Sequence, residues 1–441
     1  MTSPVVQTCP ECGARLDVDP RFSVWCPHCE WNLTPASEAA EATEQPRHGA
    51  AHTDRTARTA HADRTEQLYE DLAAGHGATG RRDWLAASAV AAAVHLSTTA
   101  LLAWALWLLV TGNTPLRCLG AGALAVVVLL RPRLGRVPRD EHVLDRHRAP
   151  ALYGLVDRLA AQVGADPVGV IRIDGTFNAT IGVVGLRRRS VLTLGLQLWE
   201  ALTDQQRIAL LGHELAHRVN GDHRRGLWLG SAIGALAHWH DLARPRRRAG
   251  SPGGLQLLFQ LADLISDALL GGLAWLLLRA VRLLDRLTAR AGQQAEYHAD
   301  ELAARAASTT AARGLLETLL LEGAADTLVT RLRADRIHRP RAVRRGAARP
   351  PQEPVTATLW EQLREHLATI PPLERERLLR RSALRQDAVD ATHPPTHLRL
   401  ALLDRRPSHP AVVTTTATES AAIAAELAPH RERVARALLA D

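Results

Sequence analysis

An uncharged stretch of 27 residues, Trp84 to Val110, limits the folds open to this chain more than any other feature. As a helix it would extend about 40 Å, which exceeds the roughly 30 Å of hydrocarbon in a bilayer. A run of this length without Asp, Glu, Lys or Arg predicts a membrane span. We interpret His95 within it as a polar side chain that faces other helices, because no partner for a metal site can be named.

A second apolar run, Thr114–Leu130, follows closely and is interrupted by Arg117, whose side chain can extend to the membrane interface from the end of the run. The two runs predict a transmembrane helical hairpin over residues 84–131. Arginines lie just before and just after it, and this positive charge predicts that both flanks face the cytoplasm. The sequence therefore predicts a multi-pass protein of the cell membrane with its other domains in the cytoplasm. The flanking residues are Arg81, Arg82, Arg131, Arg133 and Arg136.

Four of the five cysteines occur early in the chain, as the pairs CPEC and CPHC. This spacing predicts a zinc ribbon over residues 1–33, in which four thiolates hold a structural Zn²⁺. A fragment this small cannot fold by burial alone, so the metal would supply most of its folding free energy. Disulfides would need an oxidising compartment, and no signal peptide is read ahead of the cysteines. We interpret Cys118 as a small hydrophobic residue. The predicted ligands are Cys9, Cys12, Cys26 and Cys29.

Composition favours a membrane-associated protein over a nucleic-acid-binding one. The net charge of +8 comes entirely from arginine, since the sequence contains no lysine, and only 4% of residues are aromatic. Arginines that flank apolar segments favour contact with membrane lipid, and the basic loop at 339–354 has no aromatic residues between its arginines. Nucleic acid is therefore not an expected partner. Residues 34–83 carry few large apolar side chains and are predicted to be a flexible linker.

The segment LLGHELAHRVNGDHRR (210–225) contains His213 and His217 four residues apart with Glu214 between them. On a helix the two imidazoles lie on one face and can bind one metal, so the pattern predicts a zinc hydrolase. A capping box at Thr203 and Gln206 predicts where the helix begins, and Asn220-Gly221 where it ends. A chance match in a histidine-rich chain is the alternative, and only further context can exclude it.

Two residues compete to be the third ligand of a catalytic zinc. His223 stands at the third-histidine position of the metzincin pattern, but that fold needs a methionine turn and the only methionine is Met1. We therefore interpret His223 as a solvated residue beyond the helix. Glu296 shares a helix face with Asp300 and would complete a His, His, Glu site, with Asp300 bonded to a ligand imidazole. The residues alone leave Glu296 open, because acidic pairs on helices are common.

Two more apolar stretches, 226–239 and 255–284, lie between the two motifs. Crossing the membrane twice would require the arginine-rich link DLARPRRRAGSPGG to be translocated, which the charge rule disfavours. An even number of crossings is needed if Glu296 is to meet the histidines. We therefore predict core or interfacial helices with no crossing, and place Asp263, Asp267 and Arg279 on their wetter face.

Four segments in order give the chain a family resemblance: HELAHRVNGD (213–222), EYHAD (296–300), THPPTHLRL (392–400) and FNATIGVVGLRRRSVLTLGL (177–196). Over about residues 140–405 the chain resembles the HtpX-like membrane zinc endopeptidases, which belong with the CAAX prenyl proteases. The resemblance implies a zinc metalloprotease domain over residues 132–441 and Glu296 as third ligand. Three features depart from the family pattern. Thr180 follows Asn-Ala, where the family usually has another residue, and an N-terminal ribbon is not part of the common pattern. The second pair of apolar stretches also differs from that of the members with four membrane spans.

The resemblance also implies roles in catalysis. Glu214 would act as general base, and His393 and Arg399 would stabilise the oxyanion of the tetrahedral intermediate. Asn178 and Ala179 would begin a strand that pairs with the backbone of an extended peptide. One Zn²⁺ would be catalytic and one structural.

The predicted fold is mainly α: a zinc ribbon, a membrane hairpin, and a mostly helical zincin-type protease domain with a small β-hairpin or sheet. The predicted function is zinc-dependent endopeptidase activity on membrane or misfolded proteins, as proteolytic quality control. The expected partners are protein or peptide substrates, membrane lipid and an unidentified partner of the ribbon. Three alternatives stay open: a regulatory metalloprotease of a signalling or antirepressor system, a non-catalytic zinc-binding scaffold, and a soluble metzincin.

Overall fold

The computed structural model describes ten parts of the chain and confirms the predicted class: a mainly helical protein with a small sheet and an N-terminal four-cysteine unit. The described residues are 5–35, 65–75, 81–131, 136–137, 139–185, 188–219, 226–244, 256–338, 355–384 and 393–440. His223 and the basic loop at 339–354 lie outside them.

The N-terminal unit is a two-stranded antiparallel sheet, β1 (Val5–Thr8) and β2 (Arg15–Val18), with Val5 opposite Val18. Leu16 and Val18 are buried beside Cys9 and Cys26. A core this small is typical of units that need a metal for stability.

Two apolar helices follow, α1 (Arg81–Thr111) and α2 (Thr114–Leu130), and they pack against each other. Asn113 caps α2 by accepting a hydrogen bond from Leu116 N. Among the described residues, α1 alone is long and apolar enough to cross a membrane, as judged by length and composition. The 17 residues of α2 are too few for the same test, so the structure supports one candidate span and not the predicted pair.

A four-stranded sheet comes next, with the strand order β3-β4-β6-β5. Strands β4 and β6 are parallel, whereas β5 and β6 form an antiparallel hairpin in which Ala179 lies opposite Leu194. β5 is an edge strand, as the family resemblance implies. The strand bounds are β3 Val143–Leu144, β4 Val170–Asp174, β5 Ala179–Val184 and β6 Arg189–Gly195.

Helices on the sheet form one large apolar core, whose buried members include Leu152, Ile171, Leu192, Leu211 and Leu363. The helices in chain order are α3 Pro150–Val163, α4 Leu196–Ala201, α5 Asp204–Val219, α6 Ser231–Ala243, α7 Gln256–Ala307, α8 Thr309–Leu319, α9 Glu322–His338, α10 Val355–Ala368, α11 Pro372–Leu384, α12 Thr396–Arg405 and α13 Ala417–Leu438. A π-helical turn, Gly226–Gly230, precedes α6.

The two apolar stretches predicted as core or interfacial helices do not join this main core. Residues of α6 and of the first half of α7, such as Leu236 and Leu277, form a separate cluster with Ala87 and Ala91 of α1. Trp239 Nε1 donates to Leu130 O at 2.9 Å, so α6 covers the end of α2. This position fits an interfacial helix, while the second half of α7 enters the main core.

The predicted flexible linker contains an ordered part. Residues 65–73 are helical, and Leu68 is fully buried there against Tyr297 and Leu402. Leu68, Tyr69 and Leu72 recur at helical spacing and supply an apolar face, which explains why this part of 34–83 departs from the prediction. Residues 36–64 and 76–80 lie outside the described part of the chain.

Candidate active site

Helix α5 carries the histidine motif and begins at the predicted capping box. Thr203 N donates to Gln206 Oε1 at 2.9 Å, and Gln206 N donates back to Thr203 Oγ1 at 3.4 Å. Helix α5 packs on α7 at Gly212, where a Cβ would lie at the ordinary contact distance of 3.4 Å from Cα of Ala303. The same pair of helices brings His213 and His217 to Glu296, about two turns before Ala303 on α7.

Three predicted zinc ligands from two helices converge at one point. Nε2 of His213 lies 3.3 Å from Nε2 of His217. The carboxylate of Glu296 places Oε2 at 3.5 Å from Nε2 of His213 and Oε1 at 3.3 Å from Nε2 of His217. We call these three residues the metal cluster.

The metal cluster fits a zinc ion. A tetrahedral zinc with bonds of about 2.0–2.1 Å separates its ligand atoms by about 3.4 Å, which matches the three spacings. Oε2 of Glu296 is also buried without a hydrogen bond of acceptable geometry, and such an atom needs a partner. Two imidazoles and a carboxylate are a donor set that zinc prefers.

Asp300 and Arg399 form a buried pair beside the metal cluster. Arg399 Nε and Nη2 donate to Asp300 Oδ2 and Oδ1, at 2.8 and 2.6 Å. Asp300 Oδ1 lies 3.0 Å from His213 Nδ1, although the angle of this contact is not that of a hydrogen bond. Burial raises the pKa of the Asp300 carboxyl, but Arg399 and His213 together outweigh burial, so the net shift is downward.

The cluster also shifts the pKa values of its own members. Burial lowers the pKa of His213, yet the carboxylates of Asp300 and Glu296 overcome this effect and raise it to about 10. For Glu296, burial raises the pKa, but His213, His393 and Arg399 bring it well below its ordinary value. Burial is the main cause that raises the pKa of Glu214, which moves this carboxyl towards the range in which a general base exchanges protons near neutral pH.

His393 reaches the metal cluster from the chain just before α12. Its Nδ1 lies 3.0 Å from Oε2 of Glu296, and its side chain is 46% exposed. Arg399 is 6% exposed and is engaged by Asp300. His393 is therefore the accessible residue of the two, whereas Arg399 is buried beside Asp300 with its Nη2 3.6 Å from Oε2 of Glu296.

Asn178 and Ala179 lie at the start of the edge strand β5, which contacts α5. Gly195 N donates to Asn178 O at 2.9 Å, and a Cβ at Gly195 would come within 2.1 Å of Thr176 O. Only glycine permits this close approach of the chain before β5 to the end of β6. Asn178 and Thr180 are exposed and Ala179 is buried, so alternate residues face outwards along the open edge.

The four ribbon cysteines also converge. Sγ of Cys9 lies 3.6 Å from Sγ of Cys29, and Sγ of Cys12 lies 3.5 Å from Sγ of Cys26. All four sulfurs lie within 4.8 Å of one another. A disulfide needs about 2.05 Å, whereas a tetrahedral zinc–thiolate site spaces its sulfurs by about 3.8 Å, so the geometry fits zinc. Cys118 is exposed on α2.

Sequence reasoning missed the pairing of Arg399 with Asp300. The resemblance implies a role for Arg399 at the oxyanion, and this role stays a prediction. In the structure the buried guanidinium pairs with Asp300, and its Nη2 also lies 3.6 Å from Oε2 of Glu296. A signal was present, because a second buried carboxylate one turn from Glu296 requires a cation nearby. This signal could not identify which of the many arginines supplies the positive charge.

The fold and the site define a metallopeptidase: the HExxH helix packs on a second helix that supplies a carboxylate, and an edge strand lies beside it. The model of peptidase family M48 matches residues 146–407, more than half of the chain, and the chain belongs to this family. The family resemblance is thereby confirmed at the level of M48. The HtpX-like assignment within it stays a prediction. A comparison with individual curated proteins finds no match.

Proposed function

We propose that this protein is a membrane-bound zinc endopeptidase that hydrolyses peptide bonds of membrane or misfolded proteins. One observation carries the proposal: His213, His217 and Glu296 bring their ligand atoms to the spacing of a zinc site, with Glu214 buried beside them. A structural site has no use for the Glu214 carboxylate, whereas a hydrolase needs a base there.

A zinc ion held by the metal cluster would supply a Lewis acid and would lower the pKa of water. Glu214 accepts a proton from the attacking water and later delivers it to the leaving amine. Burial raises the pKa of Glu214, which makes its carboxylate a stronger base for the first step. Peptide hydrolysis then consumes one water and leaves one carboxylate and one amine.

His393 is the residue that we assign to the oxyanion of the tetrahedral intermediate. Its half-exposed ring lies at the edge of the metal cluster, where an imidazole N–H can donate to a developing negative charge. Arg399 has a positioning role in this proposal, because its Nε and Nη2 bond to Asp300. Asp300 Oδ1 lies 3.0 Å from Nδ1 of His213, the ring nitrogen outside the metal cluster, where carboxylates commonly support zinc-binding histidines.

The open edge of β5 offers a place for the substrate backbone. An extended peptide that adds to this edge would be bound through main-chain hydrogen bonds, which depend little on its sequence. Its scissile bond would then lie near α5, since β5 and α5 are in contact. This mode suits substrates that have lost their fold.

Membrane association rests on α1 and on the apolar surfaces beside it. The exposed large side chains of α1 include Trp104, Trp107 and Val110, and the first half of α7 adds Leu269 and Trp275. Exposed apolar surface of this extent is typical of contact with lipid. A protease domain held at the membrane would meet membrane proteins first.

A substrate trap in membranes tests the proposal. Full-length protein carrying Glu214→Gln should retain zinc, lose cleavage of an unfolded protein such as reduced casein, and co-purify with uncleaved membrane proteins. Wild-type protein with zinc should cleave the same casein, and a chelator should stop it. Equal casein cleavage by wild type and Glu214→Gln would refute the peptidase mechanism.

A further inference from the structure

Two parts of the chain ahead of the family-matched residues 146–407, the ribbon (5–35) and the helical segment 65–73, pack on α11 and α12. We call these two parts the N-terminal extension. Helix α11 precedes His393 in the chain and α12 follows it. The ribbon contacts α11, and the helical segment 65–73 contacts α12 and α7. The ribbon and segment 65–73 both lie outside the family match. Their contacts connect them to the helices of the candidate active site.

The ribbon contacts α11 through two arginines. Arg377 is 3% exposed, pairs with Glu374 at 2.8 Å through both Nε and Nη2, and donates from Nη1 to Leu33 O at 3.1 Å. Arg380 donates from Nη1 to Pro27 O at 2.7 Å. Loss of the ribbon fold would remove carbonyl partners from a buried guanidinium, which is costly. The ribbon and α11 therefore form a single unit.

Segment 65–73 is attached to the turn of α7 that precedes Glu296. Thr65 and Gln293 are both buried and hydrogen-bonded, with Gln293 Nε2 donating to Thr65 Oγ1 at 3.1 Å. Arg290 donates from Nη2 to Asp71 at 2.7 Å. Leu68 is fully buried against Tyr297, the neighbour of Glu296. The segment thus covers the α7 turn that carries a predicted zinc ligand.

The same segment holds α12, which carries Arg399. Leu68 and Tyr69 share a cluster with Leu402 of α12. The Arg405 guanidinium lies 5.2 Å from the centroid of the Tyr69 ring, within the range of a cation–π contact. One short helix therefore touches both α7 and α12, the two helices joined by the Asp300–Arg399 pair.

His393 has few contacts of its own, since its side chain is half exposed and meets the cluster through Nδ1. The helix that follows it, α12, begins at Thr396, and α11 packs on α12 where Leu379 meets the cluster of Leu400 and Leu403. A displacement of about 1 Å of a catalytic group can cost on the order of a hundredfold in rate. Contacts that hold α11 and α12 are for this reason contacts that set the position of His393.

We propose that the N-terminal extension positions the segment 393–405 over the metal cluster, with Leu68 and Arg377 as positioning residues and the ribbon zinc as the stabiliser of one of the two contacts. The inference rests on the proposed peptidase function and extends it. It assigns the ribbon a partner within its own chain: α11 of the protease domain. Turnover then depends on a zinc ion that never meets the substrate.

Two variants of the full chain test this. Leu68→Ala opens a cavity under segment 65–73, and Cys26→Ala removes a ribbon ligand. We expect each to accelerate hydrogen exchange in α12 by about tenfold or more, and to leave exchange in α13 unchanged, because α13 packs on α3 and α10. We expect kcat to fall by about tenfold or more with KM within about threefold, while the catalytic zinc is retained. Leu68→Met, which keeps the volume, should restore both quantities.

The matched controls are Glu70→Ala, an exposed position on the same helical segment, and Cys118→Ala, a cysteine outside the ribbon. Both should match wild type. Wild-type exchange in α12 together with wild-type kcat in Leu68→Ala and Cys26→Ala would overturn the inference. Faster exchange in α12 in a protein that cleaves nothing would overturn the proposed function and leave the positioning contacts supported. If Leu68→Ala does not fold, Cys26→Ala decides alone.

Discussion

Arg399 donates from Nε and Nη2 to the two carboxylate oxygens of Asp300, at 2.8 and 2.6 Å, and both residues are buried. Asp300 lies in turn 3.0 Å from Nδ1 of His213. A cation on α12 is therefore linked through one carboxylate to a predicted zinc ligand on α5. Bidentate pairs of this kind fix geometry as well as charge, so Arg399 fixes the carboxylate that lies beside the His213 imidazole.

Asp300→Asn should weaken zinc binding and destabilise the fold. The amide cannot balance the Arg399 charge, and breaking a buried pair costs about 3–5 kcal/mol. Loss of the carboxylate behind His213 should lower zinc affinity about 10–100-fold. Urea unfolding and zinc competition with a chromogenic chelator would measure the two effects. Glu419→Gln, which breaks the exposed pair with Arg158, should cost less than about 1 kcal/mol and serve as the control.

Glu296→Gln and Glu214→Gln should separate the ligand from the base. A neutral amide is a much weaker zinc ligand, so Glu296→Gln should lose the catalytic zinc and retain the ribbon zinc. Glu214→Gln should retain both ions and lose nearly all turnover, because nothing accepts the proton of the attacking water. Metal analysis per chain should give two zinc ions for wild type and Glu214→Gln, and one for Glu296→Gln. Two ions in Glu296→Gln would remove Glu296 from the ligand set.

Local signals predicted the start of α5 and the shared face of its histidines, because helix caps and i, i+4 spacing act within one turn. The role of Glu296 as a ligand depends on a contact between two helices, and Glu296 lies 79 and 83 residues after His217 and His213. Residue spacing cannot specify such a contact, so only the family resemblance singled out Glu296. The helical segment 65–73 was missed for a different reason. Its apolar face is three side chains in a polar region, and it is stable only when docked on α7 and α12.

The membrane region shows where composition stops being informative. Absence of charge identified α1 as a candidate membrane span. The same criterion cannot distinguish a short membrane-spanning helix from an apolar helix that packs beside a span. α6 packs across α1 and donates from Trp239 to the end of α2. Such contacts depend on tertiary structure, and the apolar character of 226–239 is equally compatible with crossing, lying at the interface or joining a core.

Single cysteines in place of Ala36, Arg248 and Pro410 should test the topology in intact cells. The ribbon and the protease domain are in contact and so share one side of the membrane. If that side is the cytoplasm and neither α6 nor α7 crosses, all three positions should be protected from an impermeant thiol reagent. Labelling at Arg248 alone would show that α6 and α7 cross. Labelling at Ala36 or Pro410 would place the ribbon or the protease domain outside.

Acid should destabilise the protein in part through His430. Burial, with the nearby charges of Arg433 and His142, lowers the pKa of this histidine in the folded state below its ordinary 6.5. The unfolded chain then binds the proton first, so stability is full above pH 6.5 and falls as the pH drops through the folded-state value. His430→Gln should flatten the decline in unfolding free energy between about pH 7 and pH 5. The exposed His147→Gln should leave it unchanged.

His393→Ala should retain both zinc ions and reduce kcat by on the order of a hundredfold or more, equal to about 2.7 kcal/mol or above, with a smaller change in KM. The reason is that a donor to the oxyanion acts in the transition state, whereas zinc binding depends on His213, His217 and Glu296. His223→Ala is the internal control, and it should change neither zinc content nor rate by more than a few-fold.

Steady-state kinetics on a quenched-fluorescence peptide, together with metal analysis, would decide between the two ligand sets. Zinc lost with His223→Ala but retained with Glu296→Gln would make the metzincin-like reading of HELAHRVNGDH correct. If His393→Ala instead raised KM and left kcat unchanged, His393 would contribute to substrate binding and not to stabilisation of the transition state.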